Sequence, residues 1–164
     1  MNAFIFPGQG AQFKGMVQDF CSENESLLQI IKEAEKISNR SVTKILWKTE
    51  LSELSRSDNS QLAITVASIV IINELKNRGI ESDICAGFSL GEFSALYDSG
   101  VLSFEDTIKL VTERGNIMQK VCDNLSEKSE GNLPGMMAIL GLPLEQIESL
   151  IEPLSKKGNA FVAN

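Results

Sequence analysis

The strongest pattern along the chain is an apolar run with almost no polar relief, Leu62-Ala63-Ile64-Thr65-Val66-Ala67-Ser68-Ile69-Val70-Ile71-Ile72, which stops at Arg78-Gly79. Apolar positions all round a helix predict one that is buried on every side. The interruptions Thr65, Ser68 and Asn73 separate it from a membrane span, which needs about twenty apolar residues. Asp58 followed by Gln61 reads as the capping box that starts it. Leu27, Ile30, Ile31 and Ala34, at three- and four-residue steps, predict an amphipathic helix within residues 16–37, broken at Ser22-Glu23-Asn24-Glu25-Ser26. Residues 43–54 read as a less regular helix or turn, with Trp47 and Leu51 docked on the core. Two short apolar runs read as strands: Phe4-Ile5-Phe6, stopped by Pro7-Gly8-Gln9-Gly10, and residues 80–87.

Beyond residue 87 a short helix is followed by Gly100 as its C-cap, and Ser103 with Asp106 caps a helix over residues 104–122. Its inner face runs Phe104, Ile108, Val111, Met118 and Val121 or Cys122, and Arg114 falls on that line. A guanidinium cannot deprotonate to escape burial. It must snorkel out, pair with an internal carboxylate, or hold an anionic ligand. Gly115 beside it marks a close approach, since glycine inside a helix costs about 1 kcal/mol. Residues 124–134 are polar and turn-rich and read as a linker. Residues 136–140 read as a strand, 144–154 as an amphipathic helix with Ile147, Leu150 and Ile151 inward, and residue 160 onward as another strand. The order helix, strand, turn, helix predicts an α/β fold with parallel strands: residues 1–123 form one α/β part, and residues 135–164 begin a smaller one. A two-stranded sheet is marginal by itself, so the chain reads as the front of something longer.

Charge narrows the partners. Fifteen Lys+Arg against 22 Asp+Glu give a net charge of −7, with no basic block, which argues against nucleic acid and against an anionic membrane. Cys21, Cys85 and Cys122 are isolated, and no signal-like segment stands at Met1; a reducing cytoplasm is expected. The loop after the first strand lacks both G-x-x-x-x-G-K-[ST] and G-x-G-x-x-G spacing, so it is not read as a phosphate or dinucleotide loop. The 164 residues contain no histidine, hence no Ser-His pair and no histidine metal ligand.

The one stretch that carries chemistry is Gly87-Phe88-Ser89-Leu90-Gly91, between the apolar Ile84-Cys85-Ala86 and the helix-forming Glu92-Phe93-Ser94-Ala95-Leu96. A G-x-S-x-G elbow puts its serine at the tip of a sharp strand-to-helix turn, with small flanking residues so that strand and helix can approach. The hydroxyl then stands above a helix N-terminus whose free N–H groups can hold an oxyanion. Ordinary turns also show this pentapeptide, so both readings of Ser89, turn serine and acyl-transfer nucleophile, stay open on these residues alone.

Several separated motifs together decide between them. Phe6-Pro7-Gly8-Gln9-Gly10-Ala11-Gln12 with Gly15-Met16, the elbow with Glu92 and Ser94-Ala95-Leu96, Arg114-Gly115 with Met118-Gln119, Gly135-Met136-Met137-Ala138 and Ala163-Asn164 resemble, in order and spacing, the malonyl-CoA:acyl-carrier-protein transacylases of fatty-acid synthesis. The resemblance covers the whole chain. It implies an α/β-hydrolase-like large subdomain and an inserted ferredoxin-like small one, with the active site between them. It implies Ser89 as the nucleophile that carries the malonyl ester, Arg114 as the group that grips the malonyl carboxylate, and the backbone N–H groups of Gln9 and Leu90 as the oxyanion hole. Malonyl-CoA and acyl carrier protein are the implied substrates and partners, with no metal or redox cofactor. Two departures stand out. Phe88 occupies a position that is usually histidine, which implies a changed pocket wall; and the family's catalytic histidine falls beyond Asn164, so residues 1–164 alone are expected to be catalytically silent unless a carboxylate such as Glu92 serves as base. Alternatives are a polyketide-type acyltransferase, an acyl hydrolase, which Arg114 disfavours, and a non-catalytic domain that only binds carrier protein.

Overall fold

The structure, a computed structural model, describes residues 1–128, 135, 137–156 and 160–162. The chain divides into two compact units, Met1–Gly131 and Asn132–Asn164.

In the first unit, β1 (Ala3–Phe6) and β2 (Ile84–Gly87) pair in parallel, in register from Ala3↔Ile84 to Phe6↔Gly87. Parallel neighbours need a crossover. Here it consists of α1 (Gln18–Glu23), α2 (Glu25–Ser38), α3 (Val42–Lys48), α4 (Leu51–Leu54) and α5 (Ser57–Asn77). The polar break predicted between the first two helices falls at Asn24, whose side chain accepts the Ser26 N–H and caps α2. Trp47 docks as expected, its indole N–H donating to the Met16 carbonyl at 3.1 Å. Leu51 does not; it is 57% exposed, because the single turn of α4 turns Leu54 inward instead.

The long helix α5 is buried along nearly its whole length, as its all-round apolar pattern requires. Leu27, Ile31 and Ala34 of α2, Val42 and Leu46 of α3, and Ile108 and Val111 further along pack around its Leu62, Val66 and Ile69. The predicted capping box does not form. Arg56 is the N-cap and makes no side-chain cap. The Ser57 N–H is instead taken by Gln119 Oε1 at 2.7 Å, so a side chain from another helix fills the capping role and Asp58 is free to pair with Arg40 and Arg56.

The helix α6 (Gly91–Asp98) follows β2, and α7 (Phe104–Lys128) opens on the Ser103 capping box: Asp106 N–H donates to Ser103 Oγ at 3.0 Å, and Ser103 Oγ to Asp106 Oδ2 at 2.7 Å. It runs past its expected end at Cys122 into residues read as linker, because residues 124–128 hold no glycine or proline to stop it. Of the two residues expected to close its inner face, Val121 is exposed and Cys122 is half-buried, so the face runs through Cys122.

In the second unit the helix α8 (Leu144–Ser155) is present, but Leu150, expected inward, is exposed. The strands expected around it are absent among the described residues: 137–140 and 160–162 are irregular, while Met136 and Ala163 lie outside the described residues. A strand persists only where a neighbour takes its backbone hydrogen bonds, and neither segment has one among the described residues. No helix among the described residues is long and apolar enough to cross a membrane.

Candidate functional site

Ser89 sits where β2 turns into α6, with φ at +50°, the left-handed region that non-glycine residues rarely enter. The turn is forced by crowding on both sides. A Cβ on Gly87 would overlap the Gly91 carbonyl carbon, and a Cβ on Gly91 would overlap the Phe6 carbonyl oxygen. Only glycine lets α6 start this close to the ends of both strands. The Phe88 N–H donates to the Phe6 carbonyl at 3.0 Å and continues the pairing of β2 with β1 for one more residue. Turn bonds from Gly91 N–H to Phe88 O and from Glu92 N–H to Ser89 O then start the helix. A non-glycine residue held at positive φ costs about 1–3 kcal/mol and persists only where the surroundings over-determine it.

The loop after β1 lies against this elbow. A Cβ on Gly8 would stand 2.7 Å from the Phe88 ring and 3.0 Å from its carbonyl oxygen, so the Gly8 backbone touches the residue before Ser89. Two glutamines tie the loop to the start of α5: Gln9 Nε2 donates to Ser57 Oγ at 3.2 Å and Gln12 Nε2 to Ser55 Oγ at 3.1 Å. The backbone N–H groups of Gln9 and Leu90 have no hydrogen-bond partner among the described residues. Phe88 is 69% exposed beside the serine.

Arg114 arrives from α7. Its Nη2 lies 3.5 Å from Ser89 Oγ, at the outer limit of a hydrogen bond, and its guanidinium carbon lies 5.8 Å from the centre of the Phe93 ring, within cation–π range. Nη1 donates to Gln61 Oε1 at 2.6 Å. Arg40, Arg56 and Arg78 each have a carboxylate within ion-pair distance; Arg114 has none among the described residues. The internal ion pair, one of the three ways such an arginine can be answered, is therefore not the one seen. Gly115 explains how α7 comes so near. A Cβ there would stand 2.9 Å from the Ser57 carbonyl oxygen, so the close approach signalled by this glycine is that of α5.

Gln61 is the residue that sequence reasoning misassigned. Its spacing from Asp58 predicts half of a capping box, whereas its carboxamide is fully buried and faces α7. The available signal was a long polar side chain at the mouth of an otherwise apolar helix. Among other nucleophiles, Cys21 is a poor one: burial, with Asp19 nearby, pushes its thiol up to about 11. The cavity of about 830 Å³ between β1, the following loop and α5 is lined by Ile5, Phe13, Ile64 and Ile71 among others, but by neither Ser89 nor Arg114. Among the described residues no cluster of acidic, cysteine or histidine side chains could hold a metal.

Comparison with known proteins matches residues 3–160 to the acyl transferase domain. The malonyl CoA-acyl carrier protein transacylase of Bacillus subtilis (strain 168) is 33% identical over 157 residues, covering 96% of this chain and 47% of its own length. The crystal structure of MCAT from Streptococcus pneumoniae superposes with a TM-score of 0.77 at 34% identity, over 96% of this chain and 49% of that one. A malonyl-transacylase solved in complex with a type II PKS acyl-carrier protein has the same TM-score, 0.77, at 29% identity, over 94% of this chain and 48% of that one. The chain thus spans about half the length of the curated relatives it matches.

Proposed function

Since the chain belongs to the acyl transferase domain family, we propose that the protein transfers a malonyl group from malonyl-CoA to the phosphopantetheine thiol of acyl carrier protein, in fatty-acid synthesis. The reading rests most on one observation: an arginine without a carboxylate partner among the described residues stands 3.5 Å from a serine held at positive φ. The serine suits acyl transfer, and the arginine suits an acyl group that ends in a carboxylate.

In this scheme Ser89 Oγ attacks the thioester carbonyl carbon while its proton passes to a base. The resemblance implies a histidine as that base, and residues 1–164 contain no imidazole. The developing oxyanion is held by the Gln9 and Leu90 N–H groups, which are otherwise unpartnered among the described residues. The carbon–sulfur bond breaks, CoA leaves as its thiol, and malonyl remains as an ester on Ser89. The carrier protein's thiol then attacks that ester, and Ser89 recovers its proton. Throughout, the free edge of the Arg114 guanidinium takes the distal malonyl carboxylate by two parallel hydrogen bonds. No metal or redox cofactor enters. We place the parallel pair β1–β2 in an α/β-hydrolase-like large subdomain and α8 in a ferredoxin-like small one.

The test uses the intact protein with malonyl-CoA and carrier protein. A malonyl mass on the peptide that contains Ser89, and its loss together with transfer in Ser89→Ala, are expected. Transfer that survives in Ser89→Ala would end this reading.

A further inference from the structure

Gln61 makes two hydrogen bonds to one face of α7, and both are directional. Its Oε1 accepts from Arg114 Nη1 at 2.6 Å, and its Nε2 donates to Met118 Sδ at 3.0 Å. Arg114 and Met118 are one turn apart, so the amide bridges successive positions on that face. Its orientation is not arbitrary. A guanidinium offers only donors, so the oxygen must face Arg114, and the thioether, a weak acceptor, takes the amide nitrogen. The side chain is fully buried on α5, and Gly115, between the two contacts, is what lets α5 come near enough.

The chemistry of the acceptor matters as much as its position. A buried arginine is ordinarily paired with a carboxylate, which fixes it and cancels its charge. An amide fixes it and cancels nothing. With Nη1 held by Gln61 and the guanidinium carbon over the Phe93 ring, the guanidinium is oriented without a counter-charge among the described residues, and Nη2 is turned toward Ser89. Glutamate has nearly the same shape as glutamine and would supply the missing charge from inside the protein.

We propose that Gln61 is a positioning residue that sets substrate charge: a neutral acceptor orients Arg114 without neutralising it, so the site accepts an acyl group bearing its own carboxylate. The inference rests on the malonyl-transfer reading and names the residue behind its selectivity.

The test compares kcat/KM for malonyl-CoA and for acetyl-CoA in the intact protein and in Gln61→Glu and Gln61→Leu, with thermal unfolding of each. Gln61→Glu is expected to lower the malonyl-to-acetyl ratio about hundredfold, through KM for malonyl-CoA, with acetyl transfer within about threefold of the parent. Gln61→Leu, which loosens the guanidinium but leaves its charge, is expected to lower the ratio only about tenfold. A purely structural role predicts the opposite order, because glutamate keeps the shape and the acceptor while leucine keeps neither. That opposite order, or equal losses for both donors, overturns the proposal. Should Gln61→Glu fail to fold, the leucine variant decides: its ratio falls about tenfold, or the proposal fails. A parent protein without preference for malonyl-CoA would instead overturn the underlying reading and this inference with it.

Discussion

Ser89 and Arg114 come from sequence positions 25 apart and meet at 3.5 Å, and each carries its own signature in the chain. Ser89 was legible because its requirements are local: a strand before it, a helix after it, and glycines at two fixed offsets. Arg114 was legible as an anomaly, a charge on an apolar line, but its partner was not. Gln61 lies 53 residues away, and nothing in the periodicity of either helix pairs them. The glycines of the elbow make the most direct claim at this scale. In Gly91→Ala the new methyl would overlap the Phe6 carbonyl oxygen, which is backbone and has no room to give. We expect a loss of about 3 kcal/mol or more in urea unfolding, from steric overpacking and a displaced elbow. A loss under about 1 kcal/mol would mean that the strand ends and α6 are not held as tightly as described.

At the scale of elements, local signals succeeded where the backbone could satisfy itself nearby. The Asn24 break and the Ser103 cap are both local side-chain-to-backbone bonds, and both formed where the sequence placed them. The start of α5 failed for the complementary reason: its cap comes from Gln119 on α7, a long-range bond that no local motif announces. Strands expected over 137–140 and 160–162 failed similarly among the described residues, since a strand is defined by its neighbour rather than by its own residues. The Ser103 cap offers a quantitative check. Ser103→Ala removes the acceptor for Asp106 N–H and should cost about 1 kcal/mol in equilibrium unfolding, while a Ser103→Asp variant, which retains an acceptor, should recover most of it. Equal losses in the two variants would show that the capping bond contributes nothing there.

For the whole molecule, the parallel sheet and the buried central helix followed from pattern, because binary patterning reports burial directly. What lies across the apolar face of β1 did not. Ile5 is 79% exposed and borders the cavity of about 830 Å³, and the sheet is two strands wide among the described residues. That face carries no part of the candidate site, which is gathered instead from three places around the start of α6: the β2 elbow, the loop after β1, and the middle of α7. The arrangement makes one central claim, that a serine able to take an acyl group stands beside a guanidinium kept free for that group's carboxylate. The most direct measurement is the rate at which the intact protein and its Arg114→Ala variant become acylated at Ser89, read by intact mass, with malonyl-CoA and acetyl-CoA as separate donors. The account predicts that Arg114→Ala loses about 2–5 kcal/mol of malonyl transfer, the range for truncating one member of a buried charged pair, while acetyl transfer stays equal or rises. Equal losses for the two donors, or malonylation undiminished in the variant, would contradict it.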